Sequence, residues 1–112
     1  MPTFKKEHWA RDIAAAIRNS DPSHERDHIL WADKKSEALE ALRSLAAELE
    51  AKVVSSRRVI ELDGGGRVEG HDTKSFSGSN YCVGVWLASA EVPGELTFRA
   101  DAEQFAELWI PE

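Results

Sequence analysis

The sequence predicts an α+β fold with a helical N-terminal half, an antiparallel meander of about four strands and a short C-terminal helix. Two apolar stripes with helical spacing occupy most of the first half of the chain. After Lys52 the pattern changes to that of strands, and the longest uncharged apolar run, Asn80–Ala90, lies in this second half. With 112 residues and no linker or repeat, the chain is expected to form a single domain, residues 1–112.

The first predicted helix spans His8–Asn19. Trp9, Ile13 and Ile17 recur at every fourth position, which places them on one face of a helix. Pro22 follows closely, and proline cannot continue a helix. We therefore expect an amphipathic helix of three turns.

The segment 23–33 fits two interpretations. A short helix with Pro22 in its first turn is the one we favour, and the alternative is a short strand over His28–Ala32. The next segment, Lys34–Lys52, is the clearest helix of the sequence, since strong helix formers surround a 3/4-spaced apolar stripe. That stripe consists of Ala38, Leu42, Leu45 and Leu49.

The second half is expected to supply the sheet. Val53–Leu62 and Arg67–His71 read as a hairpin around a turn with three consecutive glycines. The uncharged run Asn80–Ala90 predicts a strand in the middle of the sheet. Leu96–Ala100 is then the returning strand, and a closing helix begins at Asp101.

Charge and cysteine content restrict the classes of function. The net charge is −6, and residues 59–112 alone carry three Lys/Arg against ten Asp/Glu. An acidic surface of this kind repels nucleic-acid phosphates and attracts basic proteins, so we expect no nucleic-acid partner. Cys82 is the single cysteine, which favours a reducing, cytoplasmic location. No apolar run approaches the length of about 18 residues that a transmembrane helix needs, so no membrane partner is expected.

One motif carries chemistry. His24-Glu25-Arg26-Asp27-His28 resembles the HExxH motif of the zinc metalloproteases, in which two histidines on one helical turn bind Zn²⁺ and the glutamate activates water. The resemblance covers five residues and implies a zinc-dependent hydrolase with His24 and His28 as ligands and Glu25 as base. The charged residues at the two free positions depart from that family. The preferred expectation is therefore no metal, no cofactor and no catalytic set.

The leading hypothesis is a small acidic protein-binding domain that inhibits or neutralises a basic partner protein. Immunity proteins, antitoxins and phage anti-defence proteins are domains of this type, and the analogy is one of type only. The predicted contact residues are Glu69, His71, Asp72 and Phe76 near the long polar segment 70–80, with Trp86 as an anchor if it is exposed. A structural homodimer, formed through Lys34–Lys52 or an edge strand, is a further alternative.

Overall fold

The computed structural model describes residues 1–74, 80–101 and 105–112. Its elements alternate between strands and helices along most of the chain. The strands are β1 (Thr3–Phe4), β2 (Asp27–Ala32), β3 (Lys52–Val54), β4 (Val59–Glu61), β5 (Arg67–Asp72), β6 (Tyr81–Trp86) and β7 (Phe105–Pro111). The helices are α1 (Trp9–Ser20), α2 (Lys35–Leu49) and α3 (Gly94–Asp101), with single 3₁₀ turns at Lys6–His8 and Ser55–Arg57.

The seven described strands form one mixed sheet in the order β1-β7-β6-β2-β5-β4-β3. Every neighbouring pair from β1 to β5 is parallel, and only the pairs β3–β4 and β4–β5 are antiparallel. The predicted antiparallel meander of four strands is therefore wrong, although the broad α+β class fits. The parallel arrangement explains why β6 is apolar throughout, because strands of parallel sheets are covered on both faces. All six residues of β6 are buried.

The two long helices form where the apolar spacing predicts them. Helix α1 buries Ile13 and Ile17, and α2 buries Leu42 and Leu45. Both helices pack on the same face of the sheet, against a core that includes Leu30, Ile60, Val68, Val83 and Val85.

Helix α3 lies on the opposite face of the sheet. Its Leu96 is fully buried in a second core. The other buried members of that core are Ile29, Trp31, Tyr81, Trp86, Ala88, Phe105 and Leu108. Alternate residues of β2 thus face different cores, with Ile29 and Trp31 on one side and Leu30 on the other.

Three sequence predictions for individual segments are wrong. The favoured helix over 23–33 is absent, and the alternative strand is present as β2. The extended backbone allows alternate residues of this segment to pack into the cores on both faces of the sheet. Leu96–Ala100 belongs to helix α3 and is not a strand. The predicted closing helix is replaced by β7, which pairs with the buried strand β6. The local pattern of the last two segments fits either a strand or a helix. In β7, pairing with β6 selects the strand.

The hairpin of β4 and β5 around the glycine turn follows the prediction, but the predicted strand Val53–Leu62 is split by the 3₁₀ turn at Ser55–Arg57 into β3 and β4, which pair with each other. The glycine turn packs against the loop that precedes β2. A Cβ on Gly64 would lie 1.9 Å from the carbonyl oxygen of Ser23, and a Cβ on Gly66 would lie 2.2 Å from that of Arg26. The amide of Gly66 donates to the carbonyl of His24 at 2.9 Å. The turn and the loop are therefore in backbone contact.

We expect Gly64→Ala to lower the free energy of unfolding by about 1–3 kcal/mol, because the added methyl group must displace the backbone of Ser23. Gly94→Ala is the matched control, since a Cβ on Gly94 meets nothing within 4 Å, and its expected change is below about 0.5 kcal/mol. Urea denaturation measures both variants. Equal stabilities of the two variants would contradict the close contact.

Candidate functional site

The best-placed cavity lies at the carboxyl ends of β2 and β6. These strands are parallel neighbours, but the chain leaves β2 toward α2 on one face of the sheet and leaves β6 toward α3 on the other. The two connections therefore diverge and leave a crevice between them. In open sheets with parallel strands, ligands bind in the crevice at such a switch point.

A groove of about 400 Å³ opens at this position. We call it the switch-point groove. It is lined by Lys6, Trp9, Ala32, Glu37, Glu40, Ala41, Ser44 and Leu87. Its volume lies within the range of about 300–1,000 Å³ that is usual for ligand sites.

The fold fixes the walls of the groove. Trp9 is the first residue of α1 and packs partly on the first core. Glu37, Glu40 and Ala41 follow at helical spacing on one face of α2, so their side chains form a continuous wall. The amide of Leu87 donates to the carbonyl of Trp31 at 2.8 Å, which holds the opposite wall against β2.

A second bond ties the two diverging connections together beside the groove. The carboxylate of Asp33 accepts the amide of Ser89 with both oxygens, at 3.1 and 3.2 Å. Asp33 follows β2 and Ser89 follows β6, so the contact restricts the separation of the two strand ends. Hydrogen bonds to a charged group are stronger than neutral ones, which favours a preformed groove.

Charged side chains surround the apolar part of the groove. Glu40 Oε1 lies 2.6 Å from Nη1 of Arg43 on the same helix. Glu37 and Lys6 are exposed, and within the part of the chain that the structure describes their side chains make no hydrogen bond or ion pair. An aromatic and aliphatic surface next to the unpaired Glu37 carboxylate and the Glu40 carboxylate suits a cation on an aliphatic stem.

The structure brings only two of the predicted contact residues together. Glu69 and His71 lie side by side on β5, with Oε1 and Nε2 3.7 Å apart, and both side chains are about three-quarters buried. Asp72 accepts the amide of Lys74 at 3.0 Å and so forms a local turn. Phe76 lies outside the described residues.

Trp86 is not the exposed anchor that we considered. Its relative exposure is 1%, and its ring centroid lies 5.9 Å from that of Trp31 in the second core. The indole Nε1 donates to the carbonyl of Ala90 at 2.8 Å. Trp86 therefore contributes to packing, because the face of β6 on which it lies is covered.

The HExxH segment does not form the helix that a shared zinc ion requires. His24 has a positive φ of 56° in the loop before β2, while His28 lies within that strand. Both ring nitrogens of His28 are bonded to protein atoms. Among residues 1–74, 80–101 and 105–112, no group of three or more His, Cys, Asp or Glu side chains is placed to hold a metal ion.

Asp21, which directly follows α1, forms a buried pair with His28. Both residues have a relative exposure of 1%. His28 Nε2 lies 2.9 Å from Asp21 Oδ2, and the amide of Val83 donates to His28 Nδ1 at 3.1 Å. Because Nδ1 accepts the hydrogen bond from the Val83 N–H, it carries no proton. The neutral imidazole is therefore assigned the tautomer with its proton on Nε2. The Asp21 carboxylate also accepts the amides of Glu25 and Arg26, each at 3.1 Å.

The pKa of each member of the pair follows from these contacts. Burial lowers the pKa of His28 below its usual 6.5, and the bond to Asp21 offsets this only in part. Burial would raise the pKa of Asp21, but the hydrogen bonds from His28 and from the amides of Arg26 and Glu25 outweigh burial, so that pKa lies below its usual 3.8. The stable state is thus a carboxylate beside a neutral imidazole.

Sequence reasoning missed both the switch-point groove and the role of Asp21. The spacing of Asp21 and His28 has no recognised signature, and the sequence Asp21-Pro22 predicts only the end of one helix and the first turn of the next. The groove depends on which strands are neighbours, and that order was predicted incorrectly. A signal for Asp21 was available in its position after α1, where Asp often bonds to amides a few residues ahead.

Comparisons with known proteins find no relative. No family model matches the chain. No curated protein and no solved structure matches it significantly. In the described ranges, no helix combines the length and the apolar content needed to cross a bilayer. Only the sequence and the geometry of this chain therefore bear on its function.

We expect Asp21→Ala to lower the free energy of unfolding by about 2–5 kcal/mol, because it leaves His28 Nε2 and two amides without an acceptor. Asp27→Ala is the control. Asp27 is half-exposed and lies 3.8 Å from Arg67, and an exposed ion pair of this kind contributes less than about 1 kcal/mol. Thermal and urea denaturation measure both changes. A stable Asp21→Ala variant would show that the pair is not a structural centre.

Proposed function

We propose that this chain is a small acidic protein-binding domain that inhibits or neutralises a basic partner, and that the switch-point groove receives a basic side chain of that partner. One observation carries the proposal. The groove combines Trp9 and an aliphatic wall with the carboxylates of Glu37 and Glu40 at an open position of the fold.

The charge of the chain supports the same class of partner. The net charge is −6, and all of the excess acidity lies in residues 59–112. Long-range electrostatic attraction between an acidic domain and a basic protein raises their rate of association, while local contacts determine specificity. Immunity proteins, antitoxins and phage anti-defence proteins are the types of domain to which this role corresponds.

The groove suits a basic partner better than Glu69 and His71 do. Those two side chains lie close to each other and are about three-quarters buried. Glu37 and Glu40, in contrast, are exposed at the rim of a concave surface with an aromatic wall. Concave sites that desolvate an anchor residue contribute most to binding energy at protein interfaces.

Selection from a displayed library of random peptides tests this function. We expect the selected peptides to share an Arg or Lys and to bind Glu37→Lys about tenfold more weakly, because the reversed charge repels that residue. Isothermal titration calorimetry on the selected peptides measures the change.

Glu48→Lys is the matched control, since Glu48 is exposed on α2 outside the groove and its reversal changes the net charge equally. Retained binding by this variant separates local recognition from general charge attraction. Selected peptides without a common basic residue, or equal binding to both variants, would refute the proposal.

A further inference from the structure

The imidazole of His28 occupies the place of a backbone partner between β2 and β6. The described pairing of these strands runs from Ile29 with Gly84 to Trp31 with Trp86. One residue earlier, the Val83 amide donates to the His28 ring and not to a backbone carbonyl of β2. The junction of the two strands at their amino ends thus depends on a titratable side chain.

The same side chain is linked to the loop before β2. His28 Nε2 bonds to the Asp21 carboxylate, which holds the amides of Glu25 and Arg26. The carbonyl of Arg26 in turn accepts the amide of Arg67 at 3.3 Å in the hairpin of β4 and β5. One imidazole therefore connects β6, the loop 22–26 and, through that loop, the hairpin.

We propose that the Asp21–His28 pair is a pH-sensitive switch: a second proton on the His28 ring removes the acceptor of the Val83 amide and opens the amino-terminal junction of β2, β6 and the loop 22–26. With both nitrogens protonated, Nδ1–H faces the Val83 N–H and two donors oppose each other. The bond to Asp21 remains in this state, so opening begins at β6. This inference is independent of the proposed function.

Burial, and not the net effect of the surrounding charges, keeps the His28 ring neutral. Burial disfavours the imidazolium, and the Arg26 charge acts in the same direction, whereas Asp21 and the neighbouring Asp27 on β2 oppose both. On β6, Cys82 precedes Val83, and its thiol stays neutral because burial raises its pKa. On β7, Glu107 is bonded to Ser20 and Trp109.

The direction of the pH effect follows from the lowered pKa of His28. The unfolded or open state binds a proton more readily than the closed state. The contribution of the pair is therefore complete above pH 6.5 and is lost as the pH falls below that value. Asp21 does not titrate in this range, since its pKa lies below 3.8.

Amide hydrogen exchange of the full chain, followed by NMR between pH 7.5 and 5, tests the switch. After correction for intrinsic exchange rates, the protection factor of the Val83 amide is expected to fall by up to about tenfold per pH unit below 6.5. The amide of Leu45, in the middle of α2, reports global unfolding, and its protection factor should stay above that of Val83 throughout this range. Long-range ¹⁵N correlations of the His28 ring should show the Nε2–H tautomer at pH 7.5.

Two variants complete the test. His28→Gln does not titrate and should remove the pH dependence of Val83 protection, while His8→Gln, which changes an exposed histidine, should retain it. A charged His28 or an Nδ1–H tautomer at pH 7.5 in the unmodified chain would overturn the inference, even if His28→Gln does not fold. Equal protection factors at Val83 and Leu45 across this pH range would also overturn it, because that result indicates that Val83 exchanges only through global unfolding.

Discussion

The fold depends on one buried carboxylate. Asp21 lies immediately after α1 and accepts three hydrogen bonds, from His28 and from the amides of Glu25 and Arg26. These bonds turn the chain from the end of α1 into β2, the central strand, and they place the His28 ring where it binds the Val83 amide of β6. A buried charge is tolerated only when its lone pairs are satisfied, and this requirement determines the position of the loop 22–26. The backbone contacts of Gly64 and Gly66 with the same loop then position the hairpin.

The parallel order of the strands places the groove at the carboxyl ends of β2 and β6, opposite the Asp21–His28 pair. Since β2 and β6 are parallel neighbours, their carboxyl ends lie together, and α2 and α3 follow them on opposite faces. The Asp33 contact with Ser89 limits how far the two connections separate. The amino ends of β2 and β6 thus hold buried polar contacts, whereas their carboxyl ends carry an open groove with exposed charged side chains. Under the proposed function, stability and recognition lie at opposite ends of the same two strands.

Local patterns in the sequence were sufficient for the helices α1 and α2, the glycine hairpin and the buried strand β6, because each depends on spacing within a short segment. They failed for β2, α3 and β7. The residues of β7 are spaced in a way that also fits a helix, and only its pairing with β6 selects the strand. The Asp21–His28 pair depends on how the loop 22–26 turns, and Trp9 and Glu37 line one groove because α1 and α2 pack on the same face of the sheet, so no short sequence pattern predicts either. Of the predicted contact residues, Trp86 was misplaced for the same reason, since its exposure depends on whether a helix covers that face.

The most direct measurement of the recognition claim is a ¹⁵N NMR titration of the protein with Nα-acetyl-arginine-N-methylamide, with the uncharged citrulline analogue as the control ligand. We expect chemical-shift changes for the arginine ligand alone, concentrated at the Trp9 indole and at the amides of Ala41 and Leu87, which line the groove. Changes centred on Glu69 and His71, or equal changes with the citrulline analogue, would contradict the assignment of the groove as the site for a basic side chain.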